Sequence, residues 1–90
     1  MYSIAYTAEA RKRIRKCDNK VQLKIKQAVE KLAENPRLGK PLRRELKGRW
    51  SYRISDYRLI YRIYEDEILI LILTIGHRRE VYKKHKGKQK

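Results

Sequence analysis

WSYRISDYRLIYRIYEDEILILILTIGH, residues 50–77, contains three strand patterns separated by two turn signals. Trp50, Tyr52 and Ile54 fall on one face and Ser51, Arg53 and Ser55 on the other, as expected for a strand with one buried side. Ser55-Asp56 supplies a short turn, and YRLIYRIY then alternates again. The acidic run 65–67 gives the next turn. ILILILTI, residues 68–75, is apolar on both faces, the mark of a strand inside a sheet. Three such strands with short connections predict a meander.

Upstream, PRLGKPLRRELKG, residues 36–48, reads as a loop holding both prolines and two of the four glycines. Leu38, Leu42 and Leu46 are candidate pegs to the core. Before it, Val21, Ile25, Ala28, Val29 and Leu32 mark one face of a helix that Pro36 stops, since the residue before proline is pushed out of the helical region. An earlier, more basic helix over residues 8–17 has Ala10, Ile14 and Cys17 as its inward stripe. Thr7 is positioned to cap it, Glu9 suits the positive end of its dipole, and Asp18-Asn19 breaks it and caps the next. YSIAYT at the start alternates as a strand. The order is β-α-α-β-β-β, an α+β domain: an N-terminal strand and an αα-hairpin packed on a small, mostly antiparallel sheet. Residues 1–82 read as one domain, and residues 83–90 as a basic disordered tail.

Twenty-five Lys and Arg against ten Asp and Glu give a formal net charge of +15 in 90 residues. This is well beyond the magnitude of ~2–8 that suits a small soluble domain. It points to an anionic partner, nucleic acid or an acidic protein. Cys17 is the single cysteine, so no intramolecular disulfide forms and its bland reading is packing. The first residues lack the apolar core of a signal peptide, and 68–75 is too short to span a bilayer. A cytoplasmic protein is expected.

The chemistry gathers around the meander. Arg58 and Arg62 are four apart on one strand face, while Arg53 joins them only if the register allows. IGHRREVY, residues 75–82, delivers His77, Arg78 and Tyr82 just past the apolar strand. Each has a plainer role: Arg53 and Arg62 as solvated charges, Arg58 paired with Asp56, His77 as a surface histidine, Tyr82 as packing. Two distant histidines and one cysteine make no metal-ligand set, no phosphate-binding GxxxxGK loop exists, and no cofactor is implied. Arginines clamp phosphate and offset its developing charge, a histidine moves a proton near neutral pH, and a tyrosine stacks a base. RNA brings its own nucleophile, the 2′-OH.

NPRLGKPLRRELKGRWSYRISDYRLIYRI, followed by an apolar strand and GHRREVY, resembles the RelE/ParE toxin superfamily of toxin–antitoxin modules. The spacing of LKG-x-W-x-YR, DYR-x-x-Y and GHRREVY carries the resemblance as a set. It implies a RelE-like fold and a ribosome-dependent endoribonuclease that cuts mRNA in the A site by metal-independent 2′-OH attack, held inactive by a cognate antitoxin. Residue by residue, it implies that Arg58 contacts the scissile phosphate, Arg78 is the arginine ending the last strand, and Tyr82 orients the substrate nucleotide. Arg53 falls where RelE-type chains have the first of two lysines, and Ser55 stands at the approximate place of the second. An arginine is a poor base, so either His77 carries the proton, as a nearby histidine does in some relatives, or catalysis is weak. The resulting assignment is Arg58, His77, Arg78 and Tyr82 as catalytic, with Arg53 and Arg62 binding substrate. The ParE branch of the same superfamily inhibits DNA gyrase without cutting RNA. That activity stays open as the alternative, as does an inactive domain that only binds nucleic acid or an antitoxin.

Overall fold

The chain, described over residues 1–77 by a computed structural model, runs β1 (Ser3–Tyr6), α1 (Ala8–Lys16), α2 (Asn19–Glu34), β2 (Lys40–Pro41), β3 (Trp50–Ile54), β4 (Tyr57–Tyr64) and β5 (Leu69–His77). The sheet order is β1-β5-β4-β3-β2, with β1 parallel to β5 and the other pairs antiparallel. The expected α+β order therefore forms, with one addition. Lys40 and Pro41, within the segment read as loop, pair with Ser51 and Trp50 as a two-residue edge strand. Proline is tolerated there because an edge strand has one unpaired side.

Both helix starts use the expected side chains. Thr7 Oγ1 accepts from the Ala10 N–H at 3.0 Å, and Asp18 Oδ1 accepts from the Val21 N–H at 2.9 Å. The predicted face of α2 buries Ile25, Ala28, Val29 and Leu32 against Leu59, Tyr61, Ile70, Ile72 and Ile75 of the sheet. Of the three leucines proposed as pegs, Leu46 is buried and Leu42 half-buried, whereas Leu38 is 47% exposed. The loop is fastened instead by Tyr61, whose hydroxyl donates to the Pro36 carbonyl at 2.7 Å and accepts from the Gly39 N–H at 3.2 Å. A Cβ on Gly39 would lie 2.5 Å from that hydroxyl and 2.6 Å from the Ser51 carbonyl oxygen, so only glycine lets the loop approach.

One irregularity determines where β5 sends its side chains. Ile60 pairs with Thr74 but Tyr61 pairs with Ile72, leaving Leu73 as an extra residue. Its carbonyl accepts from the Thr7 hydroxyl at 2.6 Å. Thr7 thus caps α1 and fastens the bulge with one oxygen. Before the bulge the even-numbered Ile70 and Ile72 share the Tyr61 face; after it the odd-numbered Ile75 does. A bulge shifts the alternation by one in this way. β5 also runs further than the sequence suggests, including Gly76 and His77. Among the described residues, no helix is long and apolar enough to cross a membrane.

Candidate functional site

The site lies on the sheet face turned away from the helices. The register answers the question of Arg53: it stands directly opposite Arg58, which in turn stands opposite Gly76. This row, Arg53–Arg58–Gly76, crosses three strands. Like charges directly opposite on a sheet repel, and no described carboxylate compensates: the ion pairs among the described residues are Glu9–Arg13 and Arg37–Glu65. Arg58 therefore does not pair with Asp56. Its Nε is buried and has no hydrogen-bond partner among the described residues. Gly76, opposite it, presents no side chain.

The next row, Ser51–Ile60–Thr74, is buried, and the Thr74 hydroxyl also lacks a partner among the described residues. Two unsatisfied polar atoms on neighbouring rows are costly unless something fills them. Arg62 is on the same face opposite Leu71, about 13 Å along the strand from Arg58 at the usual rise. Its guanidinium lies 5.7 Å from the Tyr64 ring, with Gly48 on another side. Arg62 is thus a separate arm of the basic face.

His77 is not brought to the arginines. It stands opposite Tyr57, on the helix side, with the rings 6.3 Å apart and edge to face. It is exposed at the last position of β5. Arg78 and Tyr82 lie outside the described residues, as does the 83–90 tail. The Cys17 thiol is pushed up by burial, and next by Asp18, and its Sγ lies 3.4 Å from the Arg13 carbonyl oxygen. That environment suits packing and gives no activated nucleophile.

Two side chains escaped the sequence reading. Thr74 looks like strand filler, and nothing in the sequence marks its hydroxyl as unpartnered. Lys24, on α2, donates from Nζ to Ser55 Oγ at 2.9 Å across 31 residues of chain. The helical face that exposes Lys24 was legible, but its partner was not. On the other side of the molecule, a cleft of about 670 Å³ lies between the helices. Tyr6, Ile14, Ile25 and Val29 form its apolar lining, with the exposed Arg11, Arg15 and Lys26 and one exposed acid, Glu30, around it.

A small α+β protein whose sheet carries paired arginines without a described carboxylate partner presents a surface that attracts anions. Comparison with known proteins is more specific. The family "ParE toxin of type II toxin-antitoxin system, parDE" matches residues 4–82. The chain is 36% identical over 85 residues to toxin RelG of Mycobacterium tuberculosis, covering 92% of this chain and 98% of RelG. It is 25% identical over 85 residues to the mRNA interferase toxin RelE of Escherichia coli K12, covering 90% of each. Among solved structures, it matches a chain of the toxin–antitoxin complex RelBE2 from M. tuberculosis with a TM-score of 0.78 and 38% identity, covering 86% of this chain and 98% of that one. The isolated E. coli RelE toxin has the same fold, with a TM-score of 0.76 over the whole of both chains. The chain belongs to the ParE toxin family of type II toxin–antitoxin systems, within the RelE/ParE superfamily.

Proposed function

We propose that this toxin is an endoribonuclease that cuts mRNA in the ribosomal A site. The carrying observation is the Arg53–Arg58 pair, two opposed cations that no described carboxylate pairs with, the Arg58 Nε being without a partner among the described residues. A phosphodiester placed there removes their repulsion and satisfies the donor. The name of the E. coli relative, an mRNA interferase, supports the same reading. In the reaction the substrate's 2′-oxygen attacks phosphorus, the bond to the 5′-oxygen breaks, and a 2′,3′-cyclic phosphate and a 5′-hydroxyl result. Arg58 and Arg78 hold the phosphate and offset the charge that builds on it, with Arg53 assisting. Arg62 takes the strand further along, and Tyr82 stacks a base. His77 remains the candidate proton carrier because it is exposed at the sheet's end, although its strand position faces away from Arg58.

The partner that restrains it is a cognate antitoxin, as in the RelBE2 complex that the chain resembles. The cleft between α1 and α2, apolar within and cationic around, suits an acidic amphipathic segment of that partner. Ribosomes place the action in the cytoplasm. A second reading, inhibition of DNA gyrase without cleavage, is favoured by the ParE family match and by the separation of His77 from the arginines.

The test is cleavage of mRNA by the purified toxin with and without ribosomes, mapped by primer extension. Cuts that require ribosomes and slow at least about 100-fold in Arg58→Ala are expected, the usual cost of losing a transition-state charge donor. Absence of cuts, with supercoiling by purified gyrase blocked, replaces this reading with the second.

A further inference from the structure

The β3–β4 hairpin closes through Ser55-Asp56, a two-residue loop between the paired Ile54 and Tyr57. Ser55 has φ of +54°, at the loop position where glycine ordinarily relieves the strain. Two cations from different elements converge on this one residue. Lys24 Nζ, from α2, donates to its Oγ at 2.9 Å, and Arg53 Nε donates to its carbonyl oxygen at 3.2 Å. Neither cation forms an ion pair with a described carboxylate, and Asp56, next in the chain, is exposed and unpaired with either. Ser55 therefore accepts from two like charges, one through its hydroxyl and one through its carbonyl. Arg53 is at the same time the partner of Arg58 across the strands.

We infer that Lys24 and Arg53, joined through Ser55, form a second phosphate subsite beside the one at Arg58. It receives the backbone phosphate next to the scissile one on a single-stranded RNA. This rests on the nuclease reading above. Ser55 itself contacts no phosphate; its hydroxyl positions the lysine, and its carbonyl positions the arginine. Lys24 thus adds, from a helix, a third cation to the two that β3 and β4 carry at this end of the sheet.

The test uses the full-length toxin on ribosomes carrying an mRNA with one uncharged methylphosphonate linkage, placed in turn at each neighbour of the cut. One of these linkages should slow the wild type by about tenfold, the typical worth of a charge-assisted hydrogen bond. Lys24→Ala should raise KM about tenfold on unmodified mRNA with kcat nearly unchanged, since a neighbouring phosphate is bound equally before and during reaction. That variant should then be indifferent to the same methylphosphonate, while Lys24→Arg should restore sensitivity. A Lys24→Ala enzyme that loses as much as the wild type at every linkage overturns the subsite, provided Arg58→Ala remains defective. A wild type that cuts no RNA on ribosomes overturns the nuclease reading and the subsite together.

Discussion

Replacing Tyr61 by Phe removes a single oxygen from the middle of the sheet and leaves the Pro36 carbonyl and the Gly39 N–H without their partner. The expected cost is about 1–3 kcal/mol, measured by denaturant unfolding, because both groups lose a bond in a place water reaches poorly. The same phenol gives the fold an alkaline limit. Burial pushes it up to about 12, partly offset by the Gly39 N–H, from an ordinary value of 10.0. Below the ordinary value both folded and unfolded chains keep the proton, and the stability is fully present. Between there and about 12 only the unfolded chain ionises, so stability falls as pH rises. Tyr61→Phe should flatten that fall, and an unchanged slope in thermal melts taken from pH 9 to 11.5 would remove the residue from the account.

At the scale of elements, β5 and α1 are coupled through Thr7, which caps the helix and accommodates the bulge carbonyl of Leu73. Thr7→Val keeps the shape and loses both bonds. It should cost about 1–2 kcal/mol from the cap alone, with faster amide exchange in the first turn of α1 and around Leu73. Exchange changes confined to α1 would show that the bulge stands without the hydroxyl. The bulge matters beyond stability. It directs Thr74 and Gly76 to the arginine face and Ile75 and His77 to the helix face. Were β5 regular beyond Ile72, those assignments would exchange, since a shift of one residue turns every later side chain over.

For the molecule as a whole, the net charge of +15 and the exposed Arg53 and Arg62 predict strongly salt-dependent attachment to RNA. Sedimentation of the toxin with ribosomes should show affinity falling at least about tenfold between 50 and 200 mM monovalent salt, the behaviour of a surface that displaces several counterions. Arg53→Ala should lower the slope of log affinity against log salt by about 0.7, one single-strand phosphate contact. An unchanged slope would place that arginine outside the interface.

Local chemistry was enough to specify most of the architecture. The alternation of Trp50, Tyr52 and Ile54 against Ser51 and Arg53, the apolar run of β5, the Thr7 and Asp18 caps and the i, i+4, i+7 face of α2 each depend on neighbours within a turn or a strand. A sequence displays such neighbours directly. The family resemblance, carried by spacing within the same segments, was legible for the same reason. The site was legible only in part. That Arg58 and Arg62 share a face follows from period two, but that Arg53 opposes Arg58 depends on hairpin register. The side to which His77 turns depends on Leu73 being accommodated as an extra residue, and Lys24 meets Ser55 only because α2 packs beside the hairpin turn. The first two depend on how strands pair, and the last joins residues 31 apart in the chain. Their geometry is set by strand pairing and by the packing of helices on sheet, which no local pattern of residues encodes.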